Sequence, residues 1–229
     1  MKSIWIGLLG ILLLSTQVLA AENGALKSQK DKTSYAIGIN VGKNIKQLPM
    51  GIDPDIFAKG FKDAFSGAKP ILSEEEMRTV LAAFQKEITA KQTEIMKSAG
   101  DKNKKEGEAF LAENKKKDGV KTLPSGLQYK VIKEGTGKKP KATNTVTTHY
   151  QGTLIDGTEF DSSYKRGEPA SFPLSGVIPG WTEALQLMKV GSKWQLFVPS
   201  KLAYGERGAG PIIGPNATLI FTVELLSIK

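Results

Sequence analysis

The chain of 229 residues contains no cysteine and a single histidine, His149. Without a thiol there is no disulfide framework, no thiolate metal site, no iron–sulfur cluster and no cysteine nucleophile. One histidine builds neither a His-rich metal site nor a two-histidine relay within one chain. No paired metal carboxylates stand out, so neither a metal nor a cofactor is expected. Beyond the first 20 residues no apolar run approaches the roughly 20 residues needed to cross a bilayer, so no membrane span is expected in the mature chain. What is present is ordinary for a folded protein: 40% hydrophobic and 24% charged residues, which argues against global disorder.

The net charge of +9 raises the question of nucleic acid. Residues 21–118 carry 18 basic and 15 acidic residues, and residues 119–229 carry 13 and 8. The excess is spread thinly, with small clusters at Lys104-Lys105, Lys115 to Lys117 and Lys138-Lys139. Phosphate-binding stripes are denser and interleaved with aromatics. A mildly basic surface, with no nucleic-acid partner, is the better reading.

Met1-Lys2, the apolar run Ile4 to Leu14 and the small-residue end Val18-Leu19-Ala20-Ala21 make a charged, an apolar and a cleavage region in the order of a secretory signal. Cleavage is expected after Ala20, followed by export. No cysteine follows the apolar run, so there is no lipid-attachment site. Export makes the missing cysteines informative, because the chain sits where disulfides could form and holds together through its core alone.

The first mature half reads as helices. Within Lys32 to Ile45, Ile37, Val41 and Ile45 recur every four residues beside Tyr35 and Ile39. Gly38 and Gly42 leave one face nearly bare, which suits close approach of another backbone. Asp53-Pro54 is an N-cap followed by an N1 proline, Phe57, Phe61, Ala64 and Phe65 form an apolar face, and Gly67 ends the segment. Ser73 and Glu76 form a capping box, from which a helix to about Lys116 would run roughly 65 Å. After Ala99 its apolar stripe thins, so exposure on most sides is expected. The phenylalanines and the glycine stripe exceed what a small hairpin can bury. Residues 21–72 are therefore expected to be a homodimerisation module, and residues 73–118 a connecting helix that holds the next domain away.

From Asp118-Gly119 the hydrophobic period changes from 3.6 to 2. Strands are expected at 127–133, 145–154, after the Asp156-Gly157 turn, at 171–174, 193–199 and 217–228, with one short helix at 180–188. The fold class is α+β: an all-α module, a long helix, then a twisted antiparallel sheet wrapped on a short helix at 119–229. In the last strand Leu219, Phe221, Val223 and Leu225 alternate with more polar neighbours, so one face is buried. The Gly/Pro loop 204–216 carries two exposed-looking isoleucines, Ile212 and Ile213.

Acid–base or covalent machinery is hard to assemble from this set. His149 lies in an alternating strand without a serine or cysteine partner and reads as structural. The glycine clusters at 135–137 and 205–210 lack a following helix, so phosphate cradling is weak. Asn216-Ala217-Thr218 matches a glycosylation sequon of low information. The distinctive feature is apolar and aromatic residues in loops and strand ends: Tyr150, Phe160, Phe172, Val177, Ile178, Trp181, Tyr204, Ile212, Ile213 and Phe221. Held in rigid loops beside an aromatic floor, they suggest a pocket for an apolar ligand.

The string THYQGTLIDGTEFDSSYKRGEPASFPL, continued by VIPGWTEALQLMKVGSKWQLFVPSKLAYGERGAGPIIGPNATLIFTVELL, resembles the FK506-binding type of peptidyl-prolyl cis–trans isomerase over about residues 127–228. The N-terminal strings DKTSYAIGINVGKNIKQ and DIFAKGFKDAFSGAK, with the overall layout, resemble exported members of that family in Gram-negative bacteria. The resemblance implies a rotamase of the periplasm, with outer-membrane or cell-surface association open, acting on proline-containing polypeptides as a folding helper with a virulence association. Macrocycles of the FK506 and rapamycin type are the implied inhibitors. It maps substrate-binding roles onto Tyr150, Phe160, Arg166, Phe172, Val177, Ile178, Trp181, Tyr204, Ile213 and Phe221. Catalytic roles fall on Asp161, Tyr204, Ile178 and Phe160. Trp181 would be the floor under the proline ring, and the Ile178 N–H and the Tyr204 hydroxyl would hydrogen-bond substrate carbonyls. Ala170 and Ala209 depart from familiar relatives at the rim, which bears on inhibitor affinity and sequence preference.

The missing chemistry agrees with this. Rotating an Xaa-Pro amide breaks no bond, and its barrier of about 20 kcal/mol is lost conjugation. A dry pocket that prefers the twisted amide needs no nucleophile or metal, and a thousand-fold acceleration asks for about 4 kcal/mol. Asp161 would act electrostatically, on the carbonyl carbon or through Tyr150 and Arg166; a purely structural Asp161–Arg166 pair is the equal alternative. A non-catalytic chaperone or binding dimer, using the same pocket and arms, is the rival reading of the whole.

Overall fold

The computed structural model describes residues 26–229, and the signal segment expected at 1–20 lies outside them. The chain forms two compact units, the first ending at Pro70 and the second spanning Ile71–Lys229.

The first unit holds α1 (Gln29–Lys46) and α2 (Pro54–Ser66). α1 starts three residues earlier than its apolar pattern indicates. Ser28 Oγ accepts from the Asp31 N–H at 3.0 Å and the Asp31 carboxylate accepts from the Ser28 N–H at 2.9 Å, a reciprocal cap that satisfies two end donors. α2 is opened by Asp53 with Pro54 behind it and closed by left-handed Gly67. Neither helix buries a residue. Tyr35, Ile37, Ile56, Phe57, Phe61 and Phe65 are all exposed. Within the described residues of this one chain a Cβ at Gly38 or Gly42 would meet nothing within 4 Å, so the bare face is open.

The second unit opens with α3 (Glu74–Asn114), a helix of 41 residues begun by the Ser73–Glu76 capping box. Exposure on most sides holds for its first half, where Val80, Leu81 and Ile95 stand in solvent. Its second half is instead laid against the sheet domain. Gly100, Gly107 and Asn114, seven residues apart, are its buried positions. A Cβ on Gly107 would lie 2.3 Å from Thr218 Oγ1, so only glycine permits this approach. Asn114 Nδ2 donates to Gln128 Oε1 at 2.9 Å, Gln128 Nε2 donates to the Leu111 carbonyl at 2.9 Å, and the Phe110 and Phe197 rings lie 6.0 Å apart. Over this half the helix is a wall of the domain and not a spacer.

The sheet follows: β1 (Val120–Thr122), β2 (Gln128–Lys133), β3 (Thr145–Leu154), β4 (Glu159–Ser162), the single turn α4 (Ser163–Arg166), β5 (Ala170–Pro173), α5 (Pro179–Leu187), β6 (Lys193–Val198) and β7 (Leu219–Ile228). All pairings are antiparallel, in the order β1-β2-β6-β7-β3-β4, with β5 also on β3. β4 and β5 share one edge of β3 because the chain leaves it through α4 and returns. β7 lies between β3 and β6 and alternates buried and half-buried positions from Leu219 to Leu225, as its period-2 pattern requires. α5 covers the inner face with Trp181, Ala184 and Leu185 buried against Leu174, Leu196, Val198, Leu219 and Val223. Each such leucine contributes on the order of 2 kcal/mol on leaving water.

Candidate functional site

One cavity of about 480 Å³ opens where the ends of β3, β4, β5 and β7 meet the first turn of α5 and the loop 204–213. Tyr150, Phe160, Asp161, Phe172, Val177, Ile178, Trp181, Tyr204, Ile213 and Phe221 all line it. Arg166 does not line it but bonds to two residues that do. Sequence reasoning passed over Gly176 and Gly210 in the lining and named Pro211 only as part of the loop. Ala209, read as a rim position, lines the cavity, whereas Ala170 packs against the core behind it. Ile213 is not exposed as its loop suggested: it keeps 8% of its surface, whereas Ile212 keeps 43%.

Trp181 is the floor. Its ring meets Tyr150, Phe172 and Phe221 edge to face, with centroids 5.2, 5.8 and 5.3 Å away. Phe160 meets Phe221 in the same way at 5.5 Å. These geometries suit aromatic quadrupoles and leave each ring little freedom. Gly152, opposite Asp161 on β3, makes room for the wall. A Cβ there would sit 2.6 Å from the Phe160 ring and 2.9 Å from Phe221. The Trp181 N–H is buried without a hydrogen-bond partner among the described residues.

Asp161 is the one carboxylate in the lining. It accepts from the Tyr150 hydroxyl and pairs with the Arg166 guanidinium, and Arg166 Nη2 donates to the Tyr150 oxygen at 2.9 Å. Burial alone would push the Asp161 carboxyl up. The hydrogen bonds from Tyr150 and Arg166, with the charge of Arg166, outweigh burial and hold it below the usual carboxylate range. Burial, reinforced by the Asp161 carboxylate, pushes the Tyr150 phenol up against the opposing influence of Arg166. At neutral pH the cavity wall thus carries a fixed carboxylate and a neutral phenol, backed by the Arg166 guanidinium.

Ser163, which sequence reading missed, anchors this cluster from behind. Its fully buried hydroxyl accepts the Tyr150 N–H at 2.8 Å, donates to the Tyr150 carbonyl at 3.2 Å and lies 3.0 Å from His149 Nδ1. His149 stacks on Tyr164 with centroids 4.7 Å apart and is outside the cavity lining, a satisfied structural histidine. The sequon asparagine, Asn216, turns its amide toward the Gly100 carbonyl of α3. Among the described residues no cluster of three or more His, Asp or Glu side chains could hold a metal ion.

Because Asp161 is held below its ordinary value, the interactions it makes are present above the unfolded carboxyl value of about 3.9. They are lost only as pH falls through the lower folded value. An NMR titration of the Asp161 carboxyl carbon is expected to show a midpoint below about 3.9, and Arg166→Met is expected to raise it. A midpoint above that value in the unaltered protein would mean that burial dominates.

Two family models match the chain. The domain amino terminal to FKBP-type peptidyl-prolyl isomerase covers residues 30–131, and FKBP-type peptidyl-prolyl cis-trans isomerase covers residues 136–226. Outer membrane protein MIP of Legionella longbeachae is 52% identical over 229 residues, spanning 100% of this chain and 98% of that one. Peptidyl-prolyl cis-trans isomerase Mip of Coxiella burnetii is 47% identical over 218 residues, spanning 95% and 94%. The crystal structure of FkpA from Escherichia coli superposes with a TM-score of 0.69 at 42% identity, covering 90% of this chain and 99% of that chain. With both halves matched and full-length relatives near 50% identity, the chain belongs to the FKBP-type peptidyl-prolyl cis–trans isomerases and carries that enzyme's fold and activity.

Proposed function

We propose that the protein is exported and accelerates Xaa-Pro rotation in client polypeptides by holding the twisted amide in the aromatic cavity. The observation that carries this reading is that Trp181 and Tyr204 line the same hollow as Asp161. The proline ring rests on Trp181 between Tyr150, Phe160 and Phe221. The Ile178 N–H and the Tyr204 hydroxyl donate to substrate carbonyls, which orients the chain without engaging the amide that turns. The planar amide is polar and well solvated, while the twisted one has lost conjugation and polarity. A cavity that replaces water with aromatic faces therefore lowers the second relative to the first.

Asp161 contributes electrostatically. One of its oxygens accepts from Tyr150 and the other from Arg166. That commitment supports action through Tyr150 and Arg166, with Asp161 as their positioning residue, over direct contact with the carbonyl carbon. Macrocycles of the FK506 and rapamycin type would compete for the same floor.

The export signal at 1–20, a periplasmic location with outer-membrane or surface association, and a folding-helper and virulence-associated role belong to the same proposal. So does homodimerisation through residues 21–72. It is supported by the exposed Ile56, Phe57, Phe61 and Phe65 of α2 and by the open space at Gly38 and Gly42, since a second copy would cover both. The same apolar faces favour a chaperone role beside catalysis, with the arms holding unfolded clients. No described helix is long and apolar enough to cross a membrane.

In a protease-coupled Xaa-Pro peptide assay, Trp181→Ala is expected to lower kcat/KM at least about tenfold and Asp161→Leu to lower it also, with the fold checked by circular dichroism. Unchanged rates in folded variants would remove the cavity from the reaction. In sedimentation, full-length protein is expected as a dimer and a chain lacking residues 21–72 as a monomer. A persisting dimer would move the interface elsewhere.

A further inference from the structure

The loop that forms one side of the cavity is fastened to α3. Loop residues Ala209 to Ile213 line the cavity opposite the sheet. The loop is pinched by a two-way backbone pairing of Ala209 with Ile213, at 2.8 and 3.2 Å, and closed at its base by the Asn216 N–H on the Gly205 carbonyl at 2.8 Å. Both pairings lie within the loop itself. Two contacts with α3 fall next to it, at Pro215 and Asn216. Asn103 Nδ2, from α3, donates to the Pro215 carbonyl at 2.8 Å. Asn216 takes a left-handed φ of 55° and reaches back with Nδ2 to the Gly100 carbonyl at 3.4 Å. The surfaces are close as well as bonded. A Cβ on Gly100 would lie 3.2 Å from Pro215 Cβ, and one on Gly214 would lie 3.0 Å from Asn103 Nδ2.

We infer that Asn103, on the helix outside the cavity, is a positioning residue for the isomerase reaction: it holds the loop 204–216 so that Ile213 and Tyr204 face Trp181. Only Gly214 separates the fastened Pro215 from Ile213, so the fastening acts on the cavity wall through a link too short to absorb it. The other end of the same seam, where Asn114 meets Gln128, touches β2 and not the loop. Loosening the loop therefore costs substrate binding, whereas loosening Asn114 costs only the attachment of the helix. The inference rests on the isomerase activity of the family, and the unaltered protein's own activity on the peptide is the control for that.

The test uses full-length protein with Asn103→Ala, the same-shaped Asn103→Asp, which has no amide to donate, and Asn114→Ala. Both Asn103 variants are expected to lower kcat/KM roughly three- to tenfold, the loss of one part-buried hydrogen bond, with the change in KM and kcat nearly kept. Amide exchange at Ala209 and Ile213 is expected to quicken in both. Asn114→Ala is expected to lower the melting temperature while leaving kcat/KM and those two amides within about twofold of the unaltered protein. Should Asn103→Ala not fold, Asn103→Asp decides. Folded Asn103 variants with unchanged KM, or an Asn114→Ala that loses as much activity, would overturn the inference, whereas an inactive unaltered protein would overturn the isomerase reading itself.

Discussion

Trp181 meets Tyr150, Phe172 and Phe221 edge to face within 6 Å, and the rest of the site is built around that contact. The indole can occupy this position because α5 begins at Pro179, directly after the extended Val177 and Ile178, and because Gly180 brings its first turn against β6. A Cβ on Gly180 would lie 2.6 Å from Val198 Cγ1. Three different strands bring the three partner rings: β3, β5 and β7. Their register therefore decides whether the box exists, and a one-residue slip on any of them would turn its ring to the opposite face. The buried alternation of β7 and the bulges in β3 in this sense decide the shape of the cavity.

Charge is confined to one wall. The carboxylate of Asp161 is desolvated on one side and answered by a phenol and a guanidinium on the other, so a polar group borders an apolar cavity without being left unpaired. This arrangement agrees with a reaction that moves no electron pair between molecules. In the proposed mechanism the amide loses polarity as it twists, and the protein has only to offer surroundings that suit the less polar form.

The isomerase domain was readable because its residues carry their own signals. Period-2 alternation placed β7, Asp156-Gly157 placed the β3–β4 hairpin, and aromatics set in short strands and loops marked the cavity. What stayed hidden is made mostly of small or polar residues. The seam of α3 is formed by Gly100, Asn103, Gly107 and Asn114, which show no hydrophobic periodicity, so the helix reads as solvated while it is half built into the domain. Ile213 sits amid glycine and proline and looks exposed, although the Ala209 pairing folds it inward. Ser163 is one serine among many until the β4–α4 turn sets it under Tyr150. The start of α1 lay in a capping box upstream of its apolar pattern.

If the cavity works by preferring a twisted amide, no proton is transferred in the transition state. The solvent deuterium isotope effect on kcat/KM for an Xaa-Pro peptide tests this most directly. A ratio near one is predicted. A ratio of about two or more would show a proton in flight and contradict catalysis by differential binding alone.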